Sequence, residues 1–258
     1  MAYFEFNALS VVLGGSFTAR VFLPGLDKLR LDDKVHATRY PVVWLLHTDG
    51  ETSLQFMRTP IENLAEKYGF IAIAPDMHHA MGTNMKFGPN YEKFLVKEIQ
   101  GIFRNVLPIS AEPKNQFIGG VGTGGWAALK IAAKYPELYS KGFSLNGILD
   151  MESLIRRTAA GEKTGVPQTP EAFEAVFGSL KEFRGGRDDL FAVVLGAGDG
   201  SLYLSAERDF PYFGDSEAFA AVAGQRALFV PLLPGQDFES FQSSLRSVTA
   251  WLFDGREV

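Results

Sequence analysis

Short apolar runs alternate with amphipathic stretches through residues 41–145. The apolar runs, which predict strands buried on both faces, lie at 41–47, 70–74, 116–121 and 142–145. The amphipathic stretches, which predict helices, lie at 60–67, 91–106 and 126–135. Because strand and helix alternate as in βαβ units, we expect a mostly parallel central sheet with helices on both faces.

The two ends of the chain add to this pattern. The first 24 residues alternate around Gly14 and Gly15, which predicts two antiparallel strands joined by a glycine turn. The α/β pattern returns late, with an apolar run at 190–196 in the place of a strand, helical stretches at 203–209 and 217–222, a strand at 227–233 and a closing helix at 238–253.

Residues 147–188 break the regular alternation. This segment predicts a helical insertion whose middle, at 161–167, is rich in turn-forming residues and flexible. A chain of 258 residues with 46% hydrophobic content can bury one large core, a size that doubly wound α/β proteins often reach. We therefore predict a single domain over residues 1–258, with 147–188 as a cap-like insertion over the carboxyl edge of the sheet.

Composition removes several classes of function. The net charge of -5 and the lack of a basic run argue against a nucleic-acid partner. The chain has no cysteine, which excludes disulfides, thiolate metal sites and a cysteine nucleophile. The amino terminus lacks the pattern of a secretion signal, and no apolar run reaches the ~18 residues of a membrane span. We expect a cytoplasmic protein without a membrane partner.

The segment from Phe117 to Leu129 combines a strand, a glycine-dense turn and a helix. A turn this sharp needs small residues on both sides, so that the backbone can fold back without Cβ clashes. This is the setting of the nucleophile elbow, Gly-x-Ser-x-Gly. Gly120 and Gly124 stand at its flanking glycines, and Gly122 stands where serine belongs.

This elbow resembles that of the esterase D, S-formylglutathione hydrolase and tributyrin esterase family. Three further segments agree in order: Leu-Leu-His at 45–47 with the end of a strand, 195–203 with the segment of the triad acid, and 234–241 with the segment of the catalytic histidine. The resemblance covers nearly the whole chain. It implies the α/β-hydrolase fold, with helices on both faces of the sheet and a helical cap.

The resemblance also implies a damaged catalytic triad. In the family, serine attacks the ester carbonyl, histidine takes its proton and aspartate orients the histidine. Gly122 occupies the nucleophile position, Gln236 the histidine position and Asp199 the acid position. Glycine has no side chain to attack with, and glutamine cannot accept and return a proton near neutral pH. Such a loss costs on the order of 10⁶ in rate.

The implied oxyanion hole and pocket also depart from the family. One donor is the backbone N–H of Thr123, and another comes from the turn after His47, where Thr48 replaces the usual glycine. Asp49 follows, and a carboxylate close to a developing oxyanion would oppose it. Trp126 is an aromatic candidate for the pocket wall, although most aromatic residues build core.

Several of these residues have alternative interpretations. Thr123 is a nucleophile one position later if the elbow is displaced. Asp199 is a retained acid, a hydrogen-bond partner of Gln236, or an aspartate that caps its own turn. His47 ends a buried strand, where a satisfied core histidine is favoured over a base.

His78 and His79 follow Asp76 at the edge where ligands bind in α/β sheets. A metal site with Asp49 or Asp76 is conceivable, because imidazole and carboxylate suit zinc. Adjacent histidines on an extended loop point apart, however, and no third ligand spacing is evident. We therefore favour solvated loop residues and expect no cofactor.

Three functions compete. The first is a non-catalytic family member that binds a small molecule, or a partner protein, in the former ester pocket. The second is a hydrolase or lyase with rebuilt chemistry, in which Asp199, Asp49 or the His78 and His79 pair acts with a water or a metal. The third is a structural or homo-oligomeric scaffold whose cleft is filled by side chains.

Overall fold

One sheet of eight strands organises the part of the chain that the computed structural model describes, namely residues 2–25, 39–196, 201–234 and 238–254, with backbone only at 238–241. The strands are β1 (Ala2–Ser10), β2 (Gly15–Leu23), β3 (Val42–Leu46), β4 (Ile71–Pro75), β5 (Gln116–Val121), β6 (Lys141–Leu145), β7 (Ser201–Glu207) and β8 (Ala227–Leu232). Their order across the sheet is β1-β2-β4-β3-β5-β6-β7-β8.

The strand directions match the sequence prediction. β1 and β2 form an antiparallel hairpin, and β2 also runs antiparallel to β4. The remaining strands pair in parallel from β4 to β8. Their carboxyl ends therefore meet at one edge of the sheet, which is where ligands bind in folds of this kind.

Helices cover both faces of the sheet. They are α1 (Ile61–Tyr68), α2 (Tyr91–Lys93), α3 (Ile99–Val106), α4 (Thr123–Lys134), α5 (Met151–Ala159), α6 (Pro170–Phe177), α7 (Leu180–Phe183), α8 (Leu190–Gly196), α9 (Phe213–Ala223) and α10 (Phe238–Leu252). A π-helical segment, Phe94–Glu98, joins α2 to α3, so the predicted helix 91–106 is continuous but irregular. No described helix has both the length and the apolar character that crossing a membrane requires.

Alternate residues of β3, β4 and β5 supply two separate cores on the two faces of the sheet. In β3, Trp44 and Leu46 join the core that α4 covers, whereas Val43 and Leu45 join the core beneath α10. All five residues of β3 are buried, as a strand covered on both faces requires. The apolar run at 41–47 thus predicts the central strand correctly.

The prediction for residues 190–209 is wrong. Residues 190–196 form a helix, α8, in which Leu190 and Val194 are buried one turn apart. The strand comes afterwards: β7 lies between β6 and β8, and Leu202 to Ala206 are buried. A short apolar run fits a buried helix as well as a buried strand, and here packing against α4 and α9 favours the helix.

The predicted helices of the 147–188 insertion are present as α5, α6 and α7. Residues 160–169 between α5 and α6 are not helical, and two glycines in this stretch, Gly161 and Gly165, have positive φ. This non-helical stretch contacts the turn after β3, because Gln168 donates a hydrogen bond to Asp49. The insertion therefore lies against the carboxyl edge of the sheet.

Candidate functional site

A sharp turn at Gly122 joins β5 to α4. Gly122 has φ +56° and ψ −123°, a conformation that side chains with a Cβ adopt only under strain. Its backbone N–H bonds to Leu145 O, and its carbonyl accepts from Gly125, so the turn is fixed on both sides. The backbone is that of a nucleophile elbow, with glycine at its apex.

The flanking glycines are required by the end of β3. A Cβ at Gly124 would lie 2.2 Å from the carbonyl oxygen of Leu46, and a Cβ at Gly120 would lie 2.4 Å from the backbone of Gly124. Backbone atoms cannot yield as a flexible side chain can. Only glycine fits at both positions, as the sequence argument expected.

Thr48 fills the space that a side chain at position 122 would need. A Cβ added to Gly122 would lie 2.3 Å from Thr48 Oγ1 and 2.9 Å from Thr48 Cβ. A serine at this apex would therefore collide with the hydroxyl of Thr48. Sequence reasoning identified Thr48 only as a replaced oxyanion-hole glycine and missed this steric role.

The backbone amides around the turn are bonded to side chains of the protein itself. Thr48 N–H donates to Gln55 Oε1 at 3.2 Å, and Asp49 N–H donates to Thr123 Oγ1 at 2.7 Å. Thr123 N–H makes a long contact of 3.4 Å with Thr48 Oγ1. The amides that would form an oxyanion hole in this fold are therefore already partnered.

The hydroxyl of Thr123 lies inside this network. Thr123 is 1% exposed, and its Oγ1 is 3.5 Å from Thr48 Oγ1. Because Oγ1 accepts the N–H of Asp49, the hydroxyl serves as a structural bridge between the two turns. No hydrogen bond joins it to a basic side chain among the described residues, which argues against the alternative of a displaced nucleophile.

Asp49 forms a buried carboxylate centre beside the turn. Its side chain has no exposed surface, and Oδ1 is 3.1 Å from His79 Nδ1 while Oδ2 accepts from Gln168 Nε2 at 3.0 Å. Burial raises the pKa of Asp49 above its ordinary value, although the hydrogen bond from Gln168 and the nearby His79 act against it. His79 itself is 63% exposed, so the pair joins a hidden carboxylate to an accessible imidazole.

The other two histidines of this region have separate environments. His47 is 1% exposed: its Nε2 accepts the N–H of Met77, so Nδ1 donates to Thr48 O, and burial lowers the pKa of the neutral ring. His78 is exposed, with φ +49°, and its ring lies near Tyr91. The described residues contain no group of three or more potential ligands that could hold a metal.

Trp126 lies one turn into α4 and is completely buried. Its ring contacts Phe177 of the insertion edge-on. Lys130 Nζ lies 4.5 Å from the centroid of the same ring. Trp126 also lines a cavity together with residues of the loop after β6. The assignment of Trp126 to the ester pocket stays a prediction.

Two candidate residues, Asp199 and Gln236, lie outside the described residues. β7 starts at Ser201, so the strand follows position 199 in the chain and does not precede it. The acidic residue at the carboxyl end of β7 is Glu207, which exchanges hydrogen bonds with Asn146 at the end of β6. Sequence reasoning missed Glu207 because it assigned this segment to a helix.

Comparison with known proteins identifies the family of the chain. A model of the "Putative esterase" family matches residues 10–193. The chain belongs to this family. The similarity to the esterase D and S-formylglutathione hydrolase group is thereby confirmed.

The chain is also similar to individual esterases and hydrolases, in sequence or in structure. An acetyl esterase of Caldicellulosiruptor saccharolyticus is 27% identical over 225 residues, which cover 81% of each chain. The fluorophosphonate-binding serine hydrolase FphF of Staphylococcus aureus superposes with a TM-score of 0.85 at 19% identity, over 98% of both chains. The S-formylglutathione hydrolase FrmB of the same species gives 0.82 at 19% identity, over 98% of this chain and 99% of FrmB. These structures confirm the predicted α/β-hydrolase fold.

Proposed function

We propose that this chain is a non-catalytic member of the esterase family, which binds a small molecule at the carboxyl edge of its sheet. The observation that carries the proposal is the position of Thr48, whose hydroxyl occupies the space of a nucleophilic side chain at Gly122. A vacant apex could still admit a water molecule. A filled apex leaves no room for a nucleophile at this point.

The surrounding hydrogen bonds support the same proposal. An oxyanion hole works because free donors wait for a charge that develops in the transition state. Here the amides of Thr48 and Asp49 already donate to Gln55 and Thr123. Stabilising an oxyanion would first require these bonds to break, so both covalent attack and charge stabilisation are opposed.

Hydrolysis of p-nitrophenyl acetate and of a short thioester tests the proposal. We expect no turnover by the wild type above the uncatalysed rate. The triple variant Thr48→Gly, Gly122→Ser, Gln236→His places serine and histidine at the two triad positions and removes the threonine side chain that meets position 122, and we expect it to gain turnover. Wild-type turnover above the uncatalysed rate would contradict the proposal.

The double variant Gly122→Ser, Gln236→His is the matched control. It carries the same catalytic groups but keeps Thr48, so the serine side chain collides with the threonine hydroxyl. We expect it to be inactive or less stable than the triple variant. Equal activity of the two variants would show that Thr48 yields easily and is not the obstacle.

The contact between Asp49 and His79 favours a second candidate, a hydrolase with rebuilt chemistry. A buried carboxylate that orients an accessible imidazole is the arrangement of a general base with its positioning partner. In this alternative, His79 takes a proton from water, which then attacks an ester carbonyl. The reaction would need no serine.

Two substitutions separate this alternative from the first proposal. His79→Ala removes the imidazole that contacts Asp49, whereas His78→Ala removes an exposed neighbour without that contact. Any wild-type ester hydrolysis should fall at least tenfold in His79→Ala and persist in His78→Ala if the pair is catalytic. Activity that is unchanged in both variants, with or without a chelator, would exclude the alternative.

A further inference from the structure

The two outer strands of the sheet differ in how well their edges are protected. β8 has six residues, and Pro231 interrupts its edge because proline has no N–H to offer a further strand. β1 has nine residues, more than the usual ~5–6, and contains neither proline nor lysine. It pairs with β2 residue by residue from Ala2 to Ser10, without a bulge. No described strand pairs with its outer side, so backbone N–H and C=O groups face outward there.

Apolar side chains on both faces of β1 are open to solvent. Phe4 and Phe6 are only partly buried, although they pack against the core that α4 covers. On the other face of the strand, Tyr3 is 36% exposed and Leu9 is 81% exposed. Apolar residues on an edge strand favour association, because a second strand removes them from water.

The charged residue of β1 is already paired within the hairpin. Glu5 Oε2 accepts from Arg20 Nη2 at 2.7 Å, directly across from it on β2. Asn7 Nδ2 donates to Glu5 Oε1 at 3.0 Å. A charge on an edge strand usually keeps other strands away, but a charge that is paired within its own hairpin repels them less.

The sequence of β1 is complementary to itself in one antiparallel register. A two-fold axis beside Phe6 would pair all nine residues with those of a second copy. Tyr3 would then lie opposite Leu9, and Glu5 opposite Asn7, while Phe6 would face its own copy. Residues directly opposite lie on the same face of a sheet, so apolar residues meet apolar ones and polar residues meet polar ones.

Neighbouring registers fit less well. An axis beside Glu5 would place two glutamates directly opposite each other, and like charges in that arrangement destabilise a sheet. An axis beside Asn7 would put Glu5 opposite Leu9 and would leave Ala2 and Tyr3 without partners in the second strand. A slip of a single residue would set side chains of opposite faces against each other.

We propose that two copies of this chain associate through β1, antiparallel about Phe6, so that one continuous sheet runs through both. Backbone hydrogen bonds between the two strands and the paired side chains on both faces form the interface. β1 lies at the edge of the sheet, whereas the turn at Gly122 follows the central strand β5. The inference is therefore independent of whether the chain is catalytic.

Sedimentation of the full chain over a range of concentrations tests the association. A contact between single strands is a small interface, so we expect monomer and dimer to exchange with a Kd in the micromolar range. A chain that stays monomeric at millimolar concentration would overturn the proposal and leave this edge to a different partner.

Two substitutions at Asn7 test the register. Asn7→Asp places a negative charge opposite Glu5 of the second copy, twice in each dimer by symmetry, and we expect the Kd to rise about fivefold. Asn7→Lys places a positive charge at the same point, and the Kd should fall. Urea unfolding of both variants checks that the hairpin is intact. A Kd that changes in the same direction in both variants, or in neither, would overturn the proposed register.

The lack of cysteine in the chain permits a direct test of the pairing. In the double variant Tyr3→Cys, Leu9→Cys, each thiol lies opposite a thiol of the second copy, so a short bismaleimide linker should produce a covalent dimer. Within one copy, positions 3 and 9 are about 20 Å apart along the extended strand, beyond the reach of the linker.

The two single variants are the matched controls. In the proposed dimer, each places its two thiols about as far apart as positions 3 and 9 of one strand, so both should remain monomeric on a denaturing gel. Cross-linking of a single variant as efficient as that of the double variant would overturn the pairing. A double variant that dimerises in sedimentation but does not cross-link would also overturn it.

Discussion

The turn at Gly122 and the helix that follows it differ in whether their buried polar groups have hydrogen-bond partners. At the turn, the amides of Thr48 and Asp49 are bonded to side chains of the protein, and the free space is filled. In the helix that follows, the indole N–H of Trp126 is buried without an acceptor among the described residues. An unpaired buried donor costs about 1–3 kcal/mol, whereas the amides of the turn avoid this cost.

Lys130→Met should have the largest effect on this comparison. Lys130 is completely buried and pairs with Asp188 at 2.8 Å and Glu92 at 3.3 Å, so its removal leaves two buried carboxylates with fewer partners. We expect a loss of about 3–5 kcal/mol in the free energy of unfolding, measured with urea. Lys134→Met, which removes a partly exposed neighbour that also pairs with Glu92, should cost less.

The pH dependence of Lys130→Met should follow the same logic. Burial raises the pKa of both Glu92 and Asp188, but the nearby lysines outweigh burial and hold each pKa below its ordinary value. Groups with a lowered folded pKa stabilise the protein above their unfolded pKa, and this stability is lost as pH falls. The deficit of the variant should therefore shrink below about pH 4. A deficit that does not change with pH would contradict the ion-pair explanation.

Gly122→Ala should have an intermediate effect. The added Cβ is strained at φ +56° and meets Thr48 Oγ1 at 2.3 Å, so we expect a loss of about 2–4 kcal/mol. Gly161→Ala is the control: its φ is +79°, but no atom lies within 4 Å of an added Cβ, so strain alone should cost about 1 kcal/mol.

A double-mutant cycle with Thr48→Gly isolates the steric part of this loss. Removing Thr48 frees the space beside position 122, so Gly122→Ala should cost less in the Thr48→Gly background than in the wild type. Urea unfolding of the four proteins measures the coupling. Additive losses would show that Thr48 does not block the apex.

Asp49→Asn should give the smallest change, visible as a pH dependence. Burial raises the pKa of Asp49, so its contribution to stability is present below its unfolded pKa and is lost as pH rises through the folded one. Asparagine does not titrate. The variant should therefore gain stability relative to the wild type from about pH 4 upward, in thermal unfolding at several pH values. A stability difference between variant and wild type that does not change with pH would mean that burial does not raise the pKa of Asp49.

The sequence predicted the backbone of the site better than its contents. Glycine density correctly predicted the sharp turn. Gly120 and Gly124 are required there, because the neighbouring backbone leaves no room for a Cβ at either position. The collision between Thr48 and position 122 could not be predicted in this way. It depends on two strand ends that are distant in sequence and meet only because β3 and β5 are neighbours.

The error over residues 190–207 has a similar cause. The run Leu-Phe-Ala-Val-Val-Leu-Gly at 190–196 carries no periodicity that separates a buried helix from a buried strand. Its neighbours decide the outcome, since β7 occupies the place between β6 and β8. Because residues 190–196 were predicted as a strand, Asp199 was expected just after its end. Glu207, which lies at the carboxyl end of the actual strand β7, was missed for the same reason.

The contact between Thr48 and Gly122 also makes the two positions depend on each other. A side chain at 122 and the threonine at 48 claim the same volume, so the two cannot be present together without displacing the turn. A change at position 122 alone therefore meets an obstacle that a simultaneous change at both positions avoids.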